Sequence, residues 1–301
     1  MIHSKHWLVC LDLSQMDDVL IGYTAFLSSV VKPETITFLH IIESGPETLE
    51  IIDQFPEVKN MDQFEKLIRN ELNEKIKEQF DSDFPETRIM IKEGIPTEEI
   101  ISISSSLEPD LLAVGFKVGY AGEGIIPKRI LRYVPCSVLF VPENSRYSIS
   151  SILVPIDFSE QSANALKTAS HLAGKDGRIT AQHIYQYRAQ FFPYVLSEEE
   201  RRKVDRETEE KMKEFREKYD LPSDTKYELS QHKDGKVADM VYNMAIHRQA
   251  DLLITAAKSK GVSSLMRRDF IDKMVDYAFG IPLLIQKNKE KYRKFLDIFR
   301  S

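Results

Sequence analysis

The amino-acid sequence predicts an α/β protein made of two similar domains, each with a five-stranded parallel sheet flanked by helices. The first reason is an internal repeat: Asp12 and its surroundings recur at Asp157, 145 residues later, and His40 recurs at His183, 143 residues later. The second is that short β-branched or leucine-rich runs alternate with longer segments of helical periodicity, which is typical of repeated strand and helix units. The third is length, because each half has about the size of one domain.

In the first half, the apolar runs predict five strands and the segments between them predict four helices. Pro96 and Pro127 support two helix starts, because the first amides of a helix have no intrahelical partner to lose. The strands are expected near Trp7–Leu11, Thr35–Ile41, Arg88–Ile91, Leu111–Val114 and Ser137–Val141, and the helices near Asp17–Val31, Met61–Phe80, Thr97–Ser105 and Ile126–Tyr133.

The second half repeats this order, and right-handed crossovers would place helices on both faces of each sheet. The predicted domains are residues 1–146 and 147–288, followed by a tail over 289–301. Strands are expected near Ile152–Ile156, Ile179–Ile184, Lys226–Leu229, Leu252–Thr255 and Pro282–Ile285, and helices near Ser162–Ala173, Ser197–Tyr219, Lys236–His247 and Leu265–Phe279.

Composition narrows the class of protein. A net charge of −6 argues against a general nucleic-acid binder, and 42% hydrophobic residues are enough to build a core. No segment approaches the ~18 consecutive apolar residues of a membrane span, so we expect a cytoplasmic protein. The two cysteines, Cys10 and Cys136, lie in apolar surroundings and are expected to be buried free thiols, not part of a disulfide framework or a zinc site.

Asp12 and Asp157 each follow the first predicted strand of their half. In open parallel sheets, ligands bind in the crevice beyond the carboxyl ends of the strands, where the strand order reverses. An aspartate at this place could accept hydrogen bonds from a ribose or an adenine. It could also cap the following helix together with Ser14 or Ser159, and the two interpretations are compatible.

A glycine-rich segment, Gly115 to Gly124, lies between the fourth strand and the next helix of the first half. Glycines at this place let backbone amides approach an anion such as phosphate. Glycine-rich loops also occur merely as turns.

The order and spacing of these motifs resemble the universal stress protein family, in a tandem form with two family domains. The resemblance covers nearly the whole chain, up to about Asn288. It rests on the run from Ile152 to Ser159, on Gly94-Ile95-Pro96, on the run from Pro109 to Gly115 and on the run from Pro135 to Pro142.

The resemblance implies a Rossmann-like fold of the adenine nucleotide alpha hydrolase-like type, with the two domains packed as an intramolecular pseudo-dimer through their last strands. Some family members bind ATP or AMP, and Mg²⁺ would be required only where ATP binds. The candidate nucleotide-binding residues are Asp12, Ile41, Gly115, Gly119, Gly122 and Gly124 in the first half, and Pro155, Ile156, Asp157, Ile184, Lys258, Ser259 and Ser263 in the second half.

The phosphate loops depart from the family pattern in both halves. ATP-binding relatives carry Gly, two residues, Gly, nine residues, and then Gly followed by Ser or Thr. The first half has a shorter loop with Ile125 after the last glycine, and the second half has Ala256 and Asp269 at glycine positions. The donors of the second loop, Lys258, Ser259 and Ser263, could bind an anion in another way, or they could form a solvated basic loop.

Three classes of function follow from these patterns. The first is a regulatory stress-response module that binds an adenine nucleotide and is not a dedicated enzyme. The second is a weak nucleotide hydrolase or phosphotransferase that uses Asp12 or Asp157 with a divalent metal, although no base is recognisable. The third is a scaffold that binds no ligand. His40 and His183 have no partner at metal-ligand spacing, which favours a structural role.

Partners other than a nucleotide could be a second copy of the chain, another protein or, for the tail, a membrane surface. The tandem chain could form a homodimer or bind an unknown protein partner. The tail carries Tyr292, Phe295, Leu296 and Phe299 on one helical face. Such a face could dock on a partner or an anionic membrane surface, or pack back on its own domain.

Overall fold

The computed structural model describes residues 5–45, 58–80, 85–116, 125–186, 197–232, 237–257, 268–276 and 280–288. These residues form ten strands and eight helices, and the chain divides into two units. Among the described residues, the first unit contains those up to Tyr147 together with 280–282, Lys287 and Asn288; the second contains 148–276 and 283–286.

The first unit is an α/β domain around a parallel sheet in the order β3-β2-β1-β4-β5. Helix α1 packs on β1 and β4 and against α2, and α3 packs against α4. The strands are β1 (His6–Leu11), β2 (Thr35–Glu43), β3 (Glu86–Gly94), β4 (Leu111–Phe116) and β5 (Ser137–Pro142), and the helices are α1 (Met16–Val31), α2 (Met61–Gln79), α3 (Pro96–Leu107) and α4 (Ile125–Tyr133).

The second unit repeats this architecture, with a parallel sheet in the order β10-β9-β6-β7-β8. Helix α5 packs on β6 and β9, and α7 packs against α8. The strands are β6 (Ser151–Ile156), β7 (Arg178–Gln186), β8 (Lys226–His232), β9 (Leu252–Ala256) and β10 (Leu283–Gln286), and the helices are α5 (Glu160–Ala173), α6 (Glu198–Tyr219), α7 (Val237–His247) and α8 (Arg268–Asp276).

The predicted elements are therefore present, with shifts of a few residues at their ends. Strands β2 and β7 each continue two residues beyond the predicted Ile41 and Ile184, because β3 and β8 remain paired with them. Helix α5 begins at Glu160 and not at Ser162, because the Ser159 side chain accepts the Ser162 amide and acts as the N-cap.

The central strand of each sheet is buried in the core by its apolar side chains. Trp7, Leu8 and Val9 of β1 are buried, and the same is true of Ile152, Leu153 and Val154 of β6. Strands covered by helices on both faces show such continuous apolar runs. Cys10 and Cys136 are free thiols, as predicted, but only Cys136 is buried and Cys10 is half-buried. None of the described helices has the length and apolarity that a membrane span requires.

Candidate functional site

Each unit has a point at which the strand order reverses. In the first unit this point lies between β1 and β4, where Cys10 stands opposite Val114 and Asp12 follows the end of β1. In the second unit it lies between β6 and β9, and Asp157 follows the end of β6. Both aspartates therefore stand where nucleotide-binding sheets hold their ligands.

The two aspartates close the same kind of turn. Asp12 Oδ1 accepts the Ser14 amide at 3.0 Å, and Asp157 Oδ1 accepts the Ser159 amide at 3.2 Å. The residues between them, Leu13 and Phe158, both have a φ of 62°. A positive φ is uncommon for bulky residues and is held here by the side-chain hydrogen bond.

The turn of the second unit leads directly into a helix cap, as the capping interpretation predicted, whereas the N-cap of α1 in the first unit is Gln15, whose side chain makes no capping hydrogen bond. Ser159 Oγ donates to Asp157 Oδ1 and accepts the amide of Ser162 at 3.2 Å. An ionised carboxylate can accept about four hydrogen bonds. Capping therefore does not use up the acceptor capacity of Asp157, and a ligand role stays compatible with it.

The first unit holds a buried carboxylate that the sequence reasoning missed. Asp17 is 1% exposed, and its two oxygens accept the amides of Asp12 and Leu13 at 3.0 Å each. Burial raises the pKa of Asp17 to about 7. Alignment of Asp12 with Asp157 would have drawn attention to it, because the matching residue of the second half is Ser162.

Gly115 has a packing reason to be glycine. A Cβ added at this residue would lie 2.5 Å from Cγ of Met16, which is itself 5% exposed. The side chain of Met16 therefore packs directly against the backbone of Gly115. By alignment, the second unit has Gln161 and Ala256 in these places.

The two switch points also differ in how far their strands stay paired. Strands β1 and β4 pair over four residues, Trp7 to Cys10, whereas β6 and β9 pair only at Ile152 and Leu153. Pro155 stands beyond the last pair and has no amide hydrogen with which to continue the ladder. The hydrogen-bond ladder between the central strands of the second unit thus ends earlier than that of the first.

The repeated histidines have matching structural roles. His40 Nδ1 donates to the Leu11 carbonyl at 3.0 Å, and His183 Nδ1 donates to the Ile156 carbonyl at 2.9 Å. Burial lowers the pKa of both rings, so the neutral form is favoured. Their position next to the aspartate turns explains why they recur in the sequence. Among the residues that the structure describes, no group of three or more His, Cys, Asp or Glu is arranged to hold a metal ion.

The remaining candidate residues fall into two groups. Ile41, Ile156 and Ile184 are buried, so a ligand in the crevice would contact their backbone groups more readily than their side chains. The predicted loop residues Gly119, Gly122, Gly124, Lys258, Ser259 and Ser263, like the C-terminal tail, lie outside the described residues.

Comparison with solved structures supports the fold. A universal stress protein from Archaeoglobus fulgidus is similar over 94% of this chain and 96% of its own length, with 15% identity and a TM-score of 0.61. A protein of unknown function from Pseudomonas aeruginosa is similar over 98% and 97%, with 10% identity and a TM-score of 0.65. The cytoplasmic domain of a prokaryotic cation chloride cotransporter is similar over 97% and 99%, with 12% identity and a TM-score of 0.50.

Comparison of sequences supports the family. A search of curated proteins found no match. The sequence pattern of the universal stress protein family matches twice, over residues 3–142 and 149–279. Together these matches span most of the chain and agree with the two α/β units. The chain therefore belongs to the universal stress protein family, as a tandem member with one family domain in each half.

Proposed function

We propose that this protein is a regulatory module that binds one adenine nucleotide, ATP or AMP, in its second unit and none in its first. The observation that carries the proposal is the early end of the hydrogen-bond ladder between β6 and β9, whose pairing ends at Leu153. The strand ends beyond this ladder lie beside Asp157, at the place where open α/β sheets hold nucleotides.

The charges beside the two crevices also favour nucleotide binding in the second unit over the first. In the first unit the carboxyl group of Asp17 lies under the turn that contains Asp12, and above its pKa of about 7 its negative charge would repel a phosphate. In the second unit the corresponding Ser162 donates its hydroxyl to the Ser159 carbonyl at 2.9 Å and adds no charge. In the first unit the side chain of Met16 also packs directly on Gly115.

The residues of the second unit would divide the ligand among them. Asp157 would accept hydrogen bonds from the ribose hydroxyls, and the backbone at Pro155, Ile156 and Ile184 would contact the adenine. Lys258, Ser259 and Ser263 would supply donors to the phosphates, with Mg²⁺ accompanying ATP only. A hydrolytic role receives no support from Asp17, because both of its oxygens accept backbone amides.

Calorimetric titration with ATP and AMP, with GTP as a control, tests the proposal. We expect one site per chain, weakened at least about tenfold by Asp157→Asn and unchanged in the matched variant Asp12→Asn, since asparagine keeps an acceptor for the turn. Thermal melts of both variants check that the fold is intact. Two sites per chain, or equal weakening by the two substitutions, would contradict the assignment to the second unit.

A further inference from the structure

A buried lysine in the first unit lies outside the proposed nucleotide site. Lys287 is 7% exposed, and its side-chain nitrogen donates to two backbone carbonyls, those of Leu131 and Val134. The distance to the Val134 oxygen is 2.7 Å. The Lys287 amide also donates to Ser137 Oγ, at the start of β5, at 3.2 Å.

The two carbonyls belong to the end of helix α4. The last carbonyls of a helix have no intrahelical partner, so a side chain that carries N–H donors, such as that of lysine, is a suitable cap. Here the cap comes from residue 287, more than 150 positions along the chain from the helix that it closes. A group this far along the chain can hold α4 only in the folded first unit.

The surroundings of the amine are apolar. Leu131, Val134 and Cys136 are buried, while Arg132 and Tyr133 of α4 are exposed. Burial lowers the pKa of Lys287 to about 7, and the titratable neighbour whose charge acts on it is Cys136. A neutral amine still has two N–H donors, which is the number that the two carbonyls require.

We propose that Lys287 is a proton-responsive cap of helix α4, which holds the helix end firmly when its amine is neutral and loosens it when the amine is protonated. The ammonium carries a third N–H and a charge that water solvates better than this pocket does. Acidification would therefore favour release of Lys287 and fraying of the last turn of α4.

The sign of the effect follows from proton linkage. Between pH 7 and about 10, a released Lys287 binds a proton and the buried one does not, so opening becomes less favourable as the pH rises. If release of Lys287 opens the end of α4, the protection of the α4 amides against hydrogen exchange should increase about tenfold per pH unit in this range. Below pH 7 the protection should level off.

Hydrogen exchange measured by mass spectrometry on the full-length chain, corrected for the intrinsic exchange rate, tests the cap. We expect peptides over the end of α4 to become about tenfold more protected between pH 7.5 and 8.5. Lys287→Gln keeps an N–H donor without a titrating charge and should abolish this dependence. Lys287→Arg stays charged and should leave the helix end weakly protected at both pH values.

Lys167 of α5 is exposed, and Lys167→Gln serves as the matched control that should behave like the wild type. Protection at the end of α4 that does not change with pH in the wild type would overturn the proposal, whether or not the variants fold. The same pH dependence in Lys287→Gln as in the wild type would also overturn it, because another group would then be titrating.

Discussion

At the scale of single residues, equivalent positions of the two halves have acquired different chemistry. Asp12 and Asp157 form matching turns, but a buried carboxylate supports the first turn and a serine supports the second. Asp17 gains two amide donors and loses the solvation that an ionised carboxylate requires. Because burial outweighs the hydrogen bonds, the raised pKa of Asp17 makes the first unit sensitive to pH.

Replacement of Asp17 by Asn should remove this pH dependence. In the wild type, the folded protein retains a proton on Asp17 between about pH 4 and pH 7 while the unfolded chain has lost it, so the free energy of unfolding falls as the pH rises. The stability of Asp17→Asn relative to the wild type should therefore increase over this window, by up to about 4 kcal/mol.

Denaturant unfolding at pH 4, 5.5 and 7 measures this difference. Asp17→Ser, which places the residue of the second half in the first, should show the same trend. A constant difference between Asp17→Asn and the wild type at all three pH values would show that Asp17 does not titrate in this range.

At the scale of an element, helix α1 shows how a glycine inside a helix serves packing. The Tyr147 hydroxyl lies within the space that a Cβ at Gly22 would fill. The Tyr147 ring stacks on Phe26, with centroids 6.3 Å apart and planes at 17°, and meets Tyr23 edge-on. Glycine lowers helix stability, but at this position it leaves the space in which the Tyr147 ring packs on α1.

The effect of Gly22→Ala on the stability of the protein should change sign when the residue at position 147 is changed. With Tyr147 in place, the new methyl group should displace the ring, and the overpacking should outweigh the gain in helix propensity. In a Tyr147→Ala background, the same substitution should stabilise the protein by roughly 0.5–1 kcal/mol.

A double-mutant cycle followed by denaturant unfolding gives the coupling between the two positions, which we expect to be about 1–3 kcal/mol. Tyr147 is 51% exposed, so its ring can move into water when a methyl group is added at position 22. We therefore expect a coupling near the lower end of this range. Additive effects of the two substitutions would mean that Tyr147 does not rest on Gly22.

At the scale of the whole molecule, the duplication has kept the framework of the two units alike. Asp110 Oδ2 accepts the amides of Lys5 and His6 at 2.7 and 3.2 Å, at the start of β1. Asp251 Oδ2 accepts the Ser151 amide at 3.1 Å, at the start of β6, together with the hydroxyls of Ser148 and Ser150. Each aspartate ties its central strand to the strand beside it.

Substitution of these aspartates should therefore act locally. Asp110→Ala should lower the free energy of local opening of β1 and β4, and Asp251→Ala should lower that of β6 and β9, each by about 1–3 kcal/mol. Peptide-level hydrogen exchange of both variants compares the two units directly, and each variant serves as the control for the other. If either substitution lowered the protection against hydrogen exchange equally in both units, a local role of that aspartate would be ruled out.

The sequence alone was enough to predict the two α/β halves and the order of their strands and helices. These properties rest on hydrophobic periodicity and on an internal repeat, and both survive the changes in loop length. The family followed from the resemblance of short motifs such as the run from Ile152 to Ser159. The sequence also placed Asp12 and Asp157 at the strand ends, because strand boundaries follow from the same periodicity.

Only the tertiary structure distinguished the two crevices. The contact of Met16 with Gly115 and the burial of Asp17 depend on which side chains meet across elements. The cap of α4 by Lys287 joins residues that are far apart in the chain. Periodicity carries no information about such contacts, because burial, and with it the charge state of Asp17 and Lys287, is decided by packing between elements.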